Sequence, residues 1–378
     1  MKKYIYLDNA ATTKASEEAK AAAMLYADEL FYNPSASYAP ALEVKRRITE
    51  AAQSLATLLG VTKDEIVFTS CATESNNYAF ECGVKNKKGN IVVSAIEHAS
   101  VYESAMRLKN KGFDVRFVYP DDSGCIRAED VAHAADGNTA FVSVIHCSNE
   151  TGAINDIAAI SSAVKQISPK AVMHSDGVQA FCKIPTDMSK SGVDLYSVSA
   201  HKVGGLKGVG ALYVRKGFNM QPFIVGGGQQ NNRRSGTENV CGITGFAESA
   251  KAYKAHAATF DGHIFRNIFI SALQGKADFR VNGSGKNSGY ILSLSFEGLR
   301  GEVIAHMMED RGVLIGLGSA CSSHIRTNRV LDAMGVERAY ADGSIRISFS
   351  PQTTEDEVRY AADALVACVL ELKEKIQG

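Results

Sequence analysis

The stretch DLYSVSAHK, from Asp194 to Lys202, decides the fold that this sequence predicts. Its apolar residues indicate a short buried strand, and Lys202 follows just after that strand ends. A second apolar run, AVMHSD at 171–176, ends in Asp176, and the residues between the two runs suffice for a crossover to a parallel neighbour. Open α/β sheets bind ligands at the carboxyl ends of their strands, so we expect Asp176 and Lys202 to face one pocket.

The pairing of a lysine with a carboxylate suggests a particular chemistry. A lysine amine condenses with a carbonyl, and a carboxylate holds a pyridine nitrogen protonated. Together they are the minimal protein equipment for pyridoxal phosphate (PLP). Each residue also has an ordinary interpretation, because Lys202 could be a solvated surface lysine and Asp176 a helix N-cap.

Composition and charge exclude several classes of protein. The chain has 378 residues, enough for two domains or for one large domain with a smaller one. Its 41 basic and 41 acidic residues cancel, so nothing predicts nucleic acid or a membrane surface as the main partner. We recognise no signal peptide or membrane span, and the eight cysteines show no metal-ligand spacing. We therefore expect a cytoplasmic protein with reduced thiols and no metal site.

Strand and helix patterns alternate through the first two thirds of the chain, which predicts a mostly parallel sheet covered on both faces. Before the runs already quoted, the predicted strands are Glu65–Thr69, Asn90–Ser94, Val115–Tyr119 and Ala140–Ile145. GALYVR at 210–215 adds a strand that could pair antiparallel with its predecessor. The preceding GGLKGVG matches neither the P-loop nor the Rossmann fingerprint, so a generic nucleotide-binding protein is disfavoured.

The pattern changes after about residue 255, where helices and separate strands replace the alternation. Thr354 and Glu357 form a capping-box pattern that predicts the start of the last helix. We expect a large cofactor-binding domain at 15–255 and a small α+β domain formed by 1–14 together with 256–378.

Eight short motifs occur along the chain in a fixed order. They are YLDNAATT (6–13), ATESNN (72–77), EH (97–98), SNETG (148–152), HSDGVQ (174–179), SAHK (199–202), RSGTEN (234–239) and GSAC (318–321). In order and spacing the chain resembles the cysteine desulfurases of the NifS/IscS group, which are fold-type I PLP enzymes of the class V aminotransferase family. The resemblance covers essentially the whole chain, and it implies a mostly parallel central sheet in a large domain plus a smaller α+β domain.

The resemblance implies a set of cofactor-binding residues: Lys202, Ala72, Thr73, His98, Asp176, Gln179, Ser199, His201 and Thr237. Lys202 would bond covalently to PLP, Asp176 would pair with the pyridinium nitrogen, and Gln179 would donate to the phenolic oxygen. His98 would stack on the ring and handle protons. A histidine is also often structural, and Thr73 could simply be an N-cap.

The phosphate and the substrate carboxylate are assigned in the same way. Thr73, Ser199 and His201 would cradle the phosphate, and Thr237 would reach the phosphate of the other subunit of a homodimer. Asn149 and Arg346 look like the clamp for the substrate carboxylate, since Arg346 in SIRISFS alternates away from the apolar face. An edge-strand arginine in water is the alternative interpretation.

Cys321 carries the reaction-specific prediction, because it lies in the small and polar stretch LGSACSSHIRTN at 317–328. Most free cysteines are small buried hydrophobic residues, and the other seven fit that pattern. The resemblance implies that the Cys321 thiolate attacks the sulfur of L-cysteine, keeps it as a persulfide and releases L-alanine. The sulfur would then pass to an acceptor protein such as an iron-sulfur scaffold.

Three alternatives remain open from the sequence. The chain could be a selenocysteine lyase or another class V PLP aminotransferase, although the cysteine in GSAC argues against a plain aminotransferase. A non-catalytic sulfur-transfer scaffold is disfavoured by the intact Lys202, Asp176 and Cys321. Departures from the family pattern occur at Cys71, Leu206 and Gln230, where glycine, proline and glutamate are common; the first bears on the geometry of the phosphate loop.

Overall fold

The computed structural model describes residues 4–84, 89–317 and 328–377 of the chain. The strands are β1 (Ile5–Leu7), β2 (Ile66–Thr69), β3 (Ile91–Ser94), β4 (Val115–Val118), β5 (Phe141–Ser143), β6 (Val172–Asp176), β7 (Leu195–Ser199), β8 (Gly210–Val214), β9 (Arg280–Asn282), β10 (Ile291–Ser295), β11 (Val313–Ile315) and β12 (Ser344–Ser348). The helices are α1 (Glu17–Asp28), α2 (Ala39–Leu59), α3 (Ala72–Gly83), α4 (Ala99–Asn110), α5 (Ala128–Ala134), α6 (Ile157–Ile167), α7 (Met188–Ser191), α8 (Gln229–Asn232), α9 (Val240–Ala257), α10 (Gly262–Leu273), α11 (Gly301–Asp310), α12 (Arg329–Ala333), α13 (Arg338–Ala341) and α14 (Glu355–Gln377). Single turns of 3₁₀ helix lie at Lys63–Glu65 and Ala200–Lys202.

The central sheet is mostly parallel, as the alternating pattern predicts. Within the described residues its seven strands run in the order β2-β8-β7-β6-β5-β3-β4. Only β8 pairs antiparallel within it, to β2 on one side and to β7 on the other. Every residue of β6 and β7 is buried, including the polar residues of both strands, so the sheet is covered on both faces at its centre. The predicted fold class and the antiparallel strand after β7 are confirmed.

A second region joins the beginning of the chain to its end. Within the described residues β9, β10 and β12 form an antiparallel sheet, and β1 pairs parallel with β11. Leu7 shares a buried cluster with Phe269, Leu294, Ile347 and Leu365. Because β1 is paired with β11 in this region, the small and polar residues that follow β1 lie at the carboxyl edge of the central sheet.

The last helix begins as its sequence predicts. The backbone N–H of Thr354 donates to Glu357 Oε2 at 3.0 Å, and the backbone N–H of Glu357 donates back to Thr354 Oγ1 at 3.3 Å. This reciprocal pair is a capping box, and it fixes where α14 starts. Val358, Leu365 and Val369 then form the buried stripe of the helix.

Gln230 explains one departure from the family pattern. It lies beside β2, an outer strand of the central sheet, and its backbone φ is 49°. Its side-chain Oε1 accepts from the Phe68 backbone N–H at 2.7 Å, and its Nε2 donates to the Phe68 carbonyl at 2.8 Å. An ionised glutamate could accept but not donate here, so an amide is required to satisfy both backbone groups of Phe68.

The cysteines that the structure describes are all free thiols. Four of them are buried and behave as small hydrophobic residues, whereas three are half-buried: Cys71, Cys125 and Cys241. Among the helices of the described ranges, none is both long enough and apolar enough to span a bilayer.

Candidate active site

A pocket of about 390 Å³ opens at the carboxyl edge of the central sheet. Asp176 is the last residue of β6, and Lys202 closes the 3₁₀ turn that follows β7. Because β6 and β7 are parallel neighbours, with Asp176 opposite Ser197, both side chains reach the same edge. The pocket is lined by Ala10, Ala11, Cys71, Ala72, Thr73, His98, Ile145, Asn149, Glu150, Asp176, Val178, Gln179, Ser199, His201, Lys202 and Arg346. The expectation that Asp176 and Lys202 share one pocket is confirmed.

Lys202 is held by neutral partners. Its Nζ donates to the backbone carbonyls of Ala10 at 2.6 Å and Ala11 at 2.7 Å. Burial, together with the nearby charges of Lys183 and Arg346, lowers the pKa of Lys202 to about 7. A neutral amine is nucleophilic, so this environment prepares Lys202 for attack on a carbonyl. The interpretation as a solvated surface lysine is wrong.

Asp176 ends β6 as a buried carboxylate. Its Oδ1 accepts from the backbone N–H of Val178 at 3.0 Å, and its Oδ2 accepts from Asn76 Nδ2 at 2.8 Å. No helix starts at Asp176 in the described residues, so the N-cap interpretation is wrong. The same Asn76 nitrogen also donates to Ser100 Oγ at 2.8 Å, and Ser100 Oγ lies 2.8 Å from His98 Nδ1. A hydrogen-bonded path therefore joins the carboxylate to the histidine at the pocket mouth.

His98 caps a helix through one ring nitrogen and also lines the pocket. It is the N-cap of α4, and its Nδ1 accepts from the backbone N–H of Ser100 at 3.2 Å. The cap uses Nδ1 only, while the exposed ring lines the pocket. The pKa of His98 lies below its usual value because burial of part of the ring disfavours the imidazolium and Lys202 repels its proton. A neutral imidazole can accept a proton at neutral pH.

The amino end of α3 faces the pocket with its backbone N–H groups. Its N-cap is Cys71, which makes no side-chain capping bond, so the interpretation of Thr73 as the N-cap is wrong. A helix N-terminus whose backbone N–H groups have no capping side chain attracts an anion. Nearby, Ser199 Oγ is buried and has no hydrogen-bond partner among the described residues. His201 completes the group, with its Nδ1 at 3.1 Å from Thr12 Oγ1.

Cys71 does not distort the backbone of this loop. Its φ of −176° and ψ of 171° are extended, a conformation that any residue adopts, so the glycine of the family is not required for backbone freedom. The close approach is made by Gly210 instead, where an added Cβ would come within 2.8 Å of the Val198 carbonyl oxygen and 2.9 Å of the Cys71 carbonyl carbon. Glycine at position 210 lets β8 pass beside the loop.

Arg346 is buried and surrounded by acceptors. Its Nη2 pairs with Asp8 Oδ1 at 2.9 Å, and its Nη1 lies 3.4 Å from Glu150 Oε1 and 3.1 Å from the Asn149 carbonyl. The interpretation as an edge-strand arginine in water is therefore wrong. Gly316 makes room for the pair, since an added Cβ there would lie 2.5 Å from Asp8 Oδ1. Arg346 and Asn149 are neighbours at the pocket wall, as a carboxylate clamp requires.

Of the predicted site residues that the structure describes, one lies away from this pocket. Thr237 is exposed and does not line it. Cys321 lies outside the described residues. Conversely, sequence reasoning missed the carbonyls of Ala10 and Ala11, because a backbone group has no side-chain signature. It also missed Glu150, although its place in SNETG, next to Asn149, was an available signal.

The pocket fits PLP. Ser199 Oγ and Asn149 Oδ1 are buried polar atoms without partners among the described residues, so they are available to a polar ligand. The uncapped end of α3 suits a phosphate, the carboxylate of Asp176 suits a pyridinium nitrogen, and the amine of Lys202 suits an aldehyde. A mostly parallel sheet with this lysine and carboxylate at its carboxyl edge defines a PLP-dependent enzyme of fold-type I.

Comparisons with known proteins agree with this class. The family model described as aminotransferase class-V matches residues 5–360, and the chain belongs to that PLP-dependent family. It is 36% identical over 384 residues to a protein named cysteine desulfurase IscS from Dictyoglomus turgidum, which covers 99% of this chain and 96% of the relative. A solved structure named NifS-like protein superposes with a TM-score of 0.89 at 34% identity, covering 96% of this chain and 98% of the other. A structure described as SspA in complex with cysteine gives a TM-score of 0.81 at 31% identity, over 92% and 99% of the two chains.

Proposed function

We propose that this chain is a PLP-dependent cysteine desulfurase, which takes sulfur from L-cysteine and releases L-alanine. The observation that carries the proposal is the single pocket in which Lys202 and Asp176 meet Asn149 and Arg346. One pair suits the cofactor and the other suits an amino-acid carboxylate. Full-length similarity to proteins named cysteine desulfurase supports this choice among the reactions of the family.

Each part of PLP has a chemically complementary group in the proposed site. Lys202 would hold PLP covalently through its amine, and Asp176 would keep the pyridine nitrogen protonated. Gln179 would donate from Nε2 to the phenolic oxygen, and His98 would stack on the ring. Ala72, Thr73, Ser199 and His201 hold the phosphate with hydroxyl, imidazole and backbone N–H groups. Bound PLP supplies an electron sink for the bonds broken at the substrate.

The remaining groups bind the substrate and remove its sulfur. Arg346 and Asn149 take the carboxylate of L-cysteine, and Asp8 and Glu150 keep the guanidinium of Arg346 in place. His98, neutral at its reduced pKa, accepts and returns protons at the substrate. The Cys321 thiolate attacks the substrate sulfur, so a sulfur–sulfur bond forms while the carbon–sulfur bond breaks. The products are a persulfide on Cys321 and L-alanine.

The enzyme works as a homodimer in this proposal. Apolar side chains are exposed on α1, on α2 and on the loop between them, among them Met24, Phe31 and Leu42. A surface of this kind is typical of an interface between subunits. Thr237, exposed in one chain, would then contact the phosphate in the partner subunit's pocket. Light scattering should report a dimer, and a fully active monomer would contradict this part of the proposal.

The sulfur acceptor is a second protein, such as an iron-sulfur scaffold, and the setting is the cytoplasm. Free thiols at the described cysteines fit a reducing compartment. We also propose the domain division 15–255 and 1–14 with 256–378. The cluster that joins Leu7 to Phe269 and Leu365 supports a small domain built from both ends of the chain.

The test is an incubation of the purified chain with PLP and L-cysteine, with L-selenocysteine as the comparison substrate. A visible absorption band should appear on addition of PLP, and alanine should accumulate when cysteine follows. Release of alanine from selenocysteine alone would replace this proposal with a selenocysteine lyase. A chain that binds no PLP would overturn it altogether.

A further inference from the structure

A line of hydrogen bonds connects the pocket to a lysine that does not line it. Lys183 Nζ donates to Gln179 Oε1 at 2.7 Å, and Gln179 Nε2 donates to the Ala10 carbonyl at 2.9 Å. Lys202 Nζ donates to that same carbonyl at 2.6 Å. Lys183, which does not line the pocket, is therefore connected to Lys202 by hydrogen bonds through the Gln179 side-chain amide and the Ala10 backbone carbonyl.

The partners of Gln179 determine which way its amide points. The oxygen and nitrogen of a side-chain amide have nearly the same shape, so only their hydrogen-bond partners distinguish the two orientations. An ammonium group can only donate, so Lys183 must face the oxygen; a carbonyl can only accept, so Ala10 must face the nitrogen. If the amide turned over, Nε2 would meet the Lys183 ammonium and Oε1 would meet the Ala10 oxygen.

We propose that Lys183 is a positioning residue, which locks the Gln179 amide with its N–H groups toward the pocket. The inference rests on the proposed function, because the locked N–H is the donor offered to the phenolic oxygen of PLP. Lys183 itself touches neither cofactor nor substrate in this scheme. Its importance lies in excluding the orientation in which Gln179 would present an oxygen to the pocket.

The surroundings hold Lys183 in this position. It follows Cys182, a buried residue in the left-handed region with φ 62°, in the tight turn after β6. Its backbone N–H donates to the Ala180 carbonyl at 3.0 Å, and its Nζ lies 5.8 Å from the centre of the Tyr290 ring. Burial lowers the pKa of Lys183 to about 8, which leaves the ammonium mostly protonated at neutral pH.

Other charged and titratable groups lie near the hydrogen bonds that connect Lys183 to Lys202, and they also influence the pKa values of the two lysines. Lys202 is influenced by the carboxylates of Asp8 and Asp176, the cations of Lys183 and Arg346, and the imidazoles of His98 and His201. Lys183 is influenced by the thiols of Cys147 and Cys182. Burial raises the pKa of both thiols, to about 11 for Cys147 and about 12 for Cys182, so they stay neutral over the range of the experiment.

The experiment is a pH titration of the visible band of the PLP-loaded chain. Lys183→Met removes the ammonium but keeps an unbranched stem, Lys183→Arg keeps a charged donor, and Lys190→Met is the control at an exposed lysine. We expect Lys183→Met to move the midpoint upward by about half a pH unit or more, because the phenolic oxygen loses its oriented donor. Lys183→Arg and Lys190→Met should titrate like the parent. A parental midpoint in Lys183→Met would overturn the proposal.

A double variant tests whether Lys183 acts through Gln179. In the Gln179→Leu background there is no amide to orient, so adding Lys183→Met should shift the midpoint less than it does in the parent, by the direct loss of the Lys183 charge alone. An added shift as large as the one in the parent would overturn the proposal. If Lys183→Met does not fold, Lys183→Gln serves as the second neutral variant in the same comparison.

A measurement on the cofactor-free chain separates failure of this inference from failure of the proposed function. The pH dependence of Lys202 acetylation, read by peptide mass spectrometry, needs neither PLP nor turnover. Loss of the neighbouring cation in Lys183→Met should raise the labelling midpoint of Lys202 by about half a pH unit. Equal midpoints would overturn the link between the two lysines, whereas a chain that fails to desulfurate cysteine would leave this result intact.

Discussion

An ionisable side chain lies at each end of strand β7, and the two have different kinds of hydrogen-bond partner. At its start, the Asp194 carboxylate accepts from Lys165 Nζ at 3.0 Å, from Arg215 Nε at 2.6 Å and from the Met173 backbone N–H at 2.8 Å. Past its other end, Lys202 Nζ donates only to backbone carbonyls among the described residues. Asp194, whose carboxylate has partners on three sides within the protein, has a structural role, whereas the amine of Lys202, which has only neutral partners, is available to a ligand.

Of the substitutions that test this difference, Lys202→Ala should have the largest effect on cofactor binding and turnover. The variant should lose the visible cofactor band and all turnover, because it loses the covalent anchor. Without cofactor the variant should remain folded and at least as heat-stable as the parent near pH 7, since the hydrogen bonds to Ala10 and Ala11 are lost together with the cost of burying the Lys202 ammonium. Absorption spectra and thermal unfolding provide the two measurements. Cofactor that remained covalently attached after borohydride treatment of the variant would show that the anchor is another residue.

Substitution of the two carboxylates should separate fold from function. Asp194→Ala should lower the free energy of unfolding by about 2 kcal/mol, because a buried carboxylate with three hydrogen bonds is lost. The value is modest because Lys165 and Arg215 are partly exposed and can turn to water. Asp176→Asn should retain stability but lower turnover by about a hundredfold. Urea unfolding and alanine release test the pair, and the reverse assignment of effects would contradict the comparison.

The lowered pKa of Lys202 should also make the free energy of unfolding depend on pH. Its pKa in the folded chain is about 7, below the ordinary 10.5, so the folded chain binds fewer protons than the unfolded chain between these values. This group therefore makes the cofactor-free chain more stable as pH rises through that window, and its full penalty applies below pH 7. Lys202→Met should remove this contribution. Urea unfolding on both sides of pH 7 measures it, and parallel curves for parent and variant would contradict the depressed pKa.

Ser199→Ala should have the smallest effect. The Ser199 hydroxyl is buried without a partner among the described residues, so its removal should change the stability of the cofactor-free chain by only about 0.5 kcal/mol. Affinity for PLP should fall by about 1 kcal/mol, the value of one hydrogen bond to the phosphate. Equilibrium titration with PLP measures the affinity. A variant that binds PLP as tightly as the parent would remove Ser199 from the phosphate cradle.

The sequence was sufficient where one short segment carries the signal. The apolar runs that became β6 and β7 are buried on both faces, so strand, parallel pairing and the positions of Asp176 and Lys202 followed from local pattern. The capping box of α14 is local in the same sense. By contrast, β9 and β11 are as short as β5 but lie outside the alternation of strands and helices that predicted β5.

The sequence was insufficient where residues far apart in the chain meet. Asp8 contacts Arg346 and Ala10 contacts Lys202 only because β1 pairs with β11 and Asp8 forms a bridge with Ser348. No local periodicity encodes such contacts. Lys183 illustrates the same limit, since its relation to Gln179 depends on the turn that follows β6 rather than on any residue pattern.

The central claim, that this pocket serves removal of sulfur by Cys321, is tested most directly by following the sulfur atom. The PLP-loaded parent and Cys321→Ser are each mixed with an equivalent of L-cysteine, and the peptide that contains position 321 is analysed by mass spectrometry. The account predicts one added sulfur atom on Cys321 and one alanine in the parent. Cys321→Ser should show neither, although its cofactor spectrum still shifts when cysteine binds, because a serine hydroxyl is a far poorer nucleophile toward sulfur. Release of alanine and sulfide by Cys321→Ser at the parental rate would contradict the account.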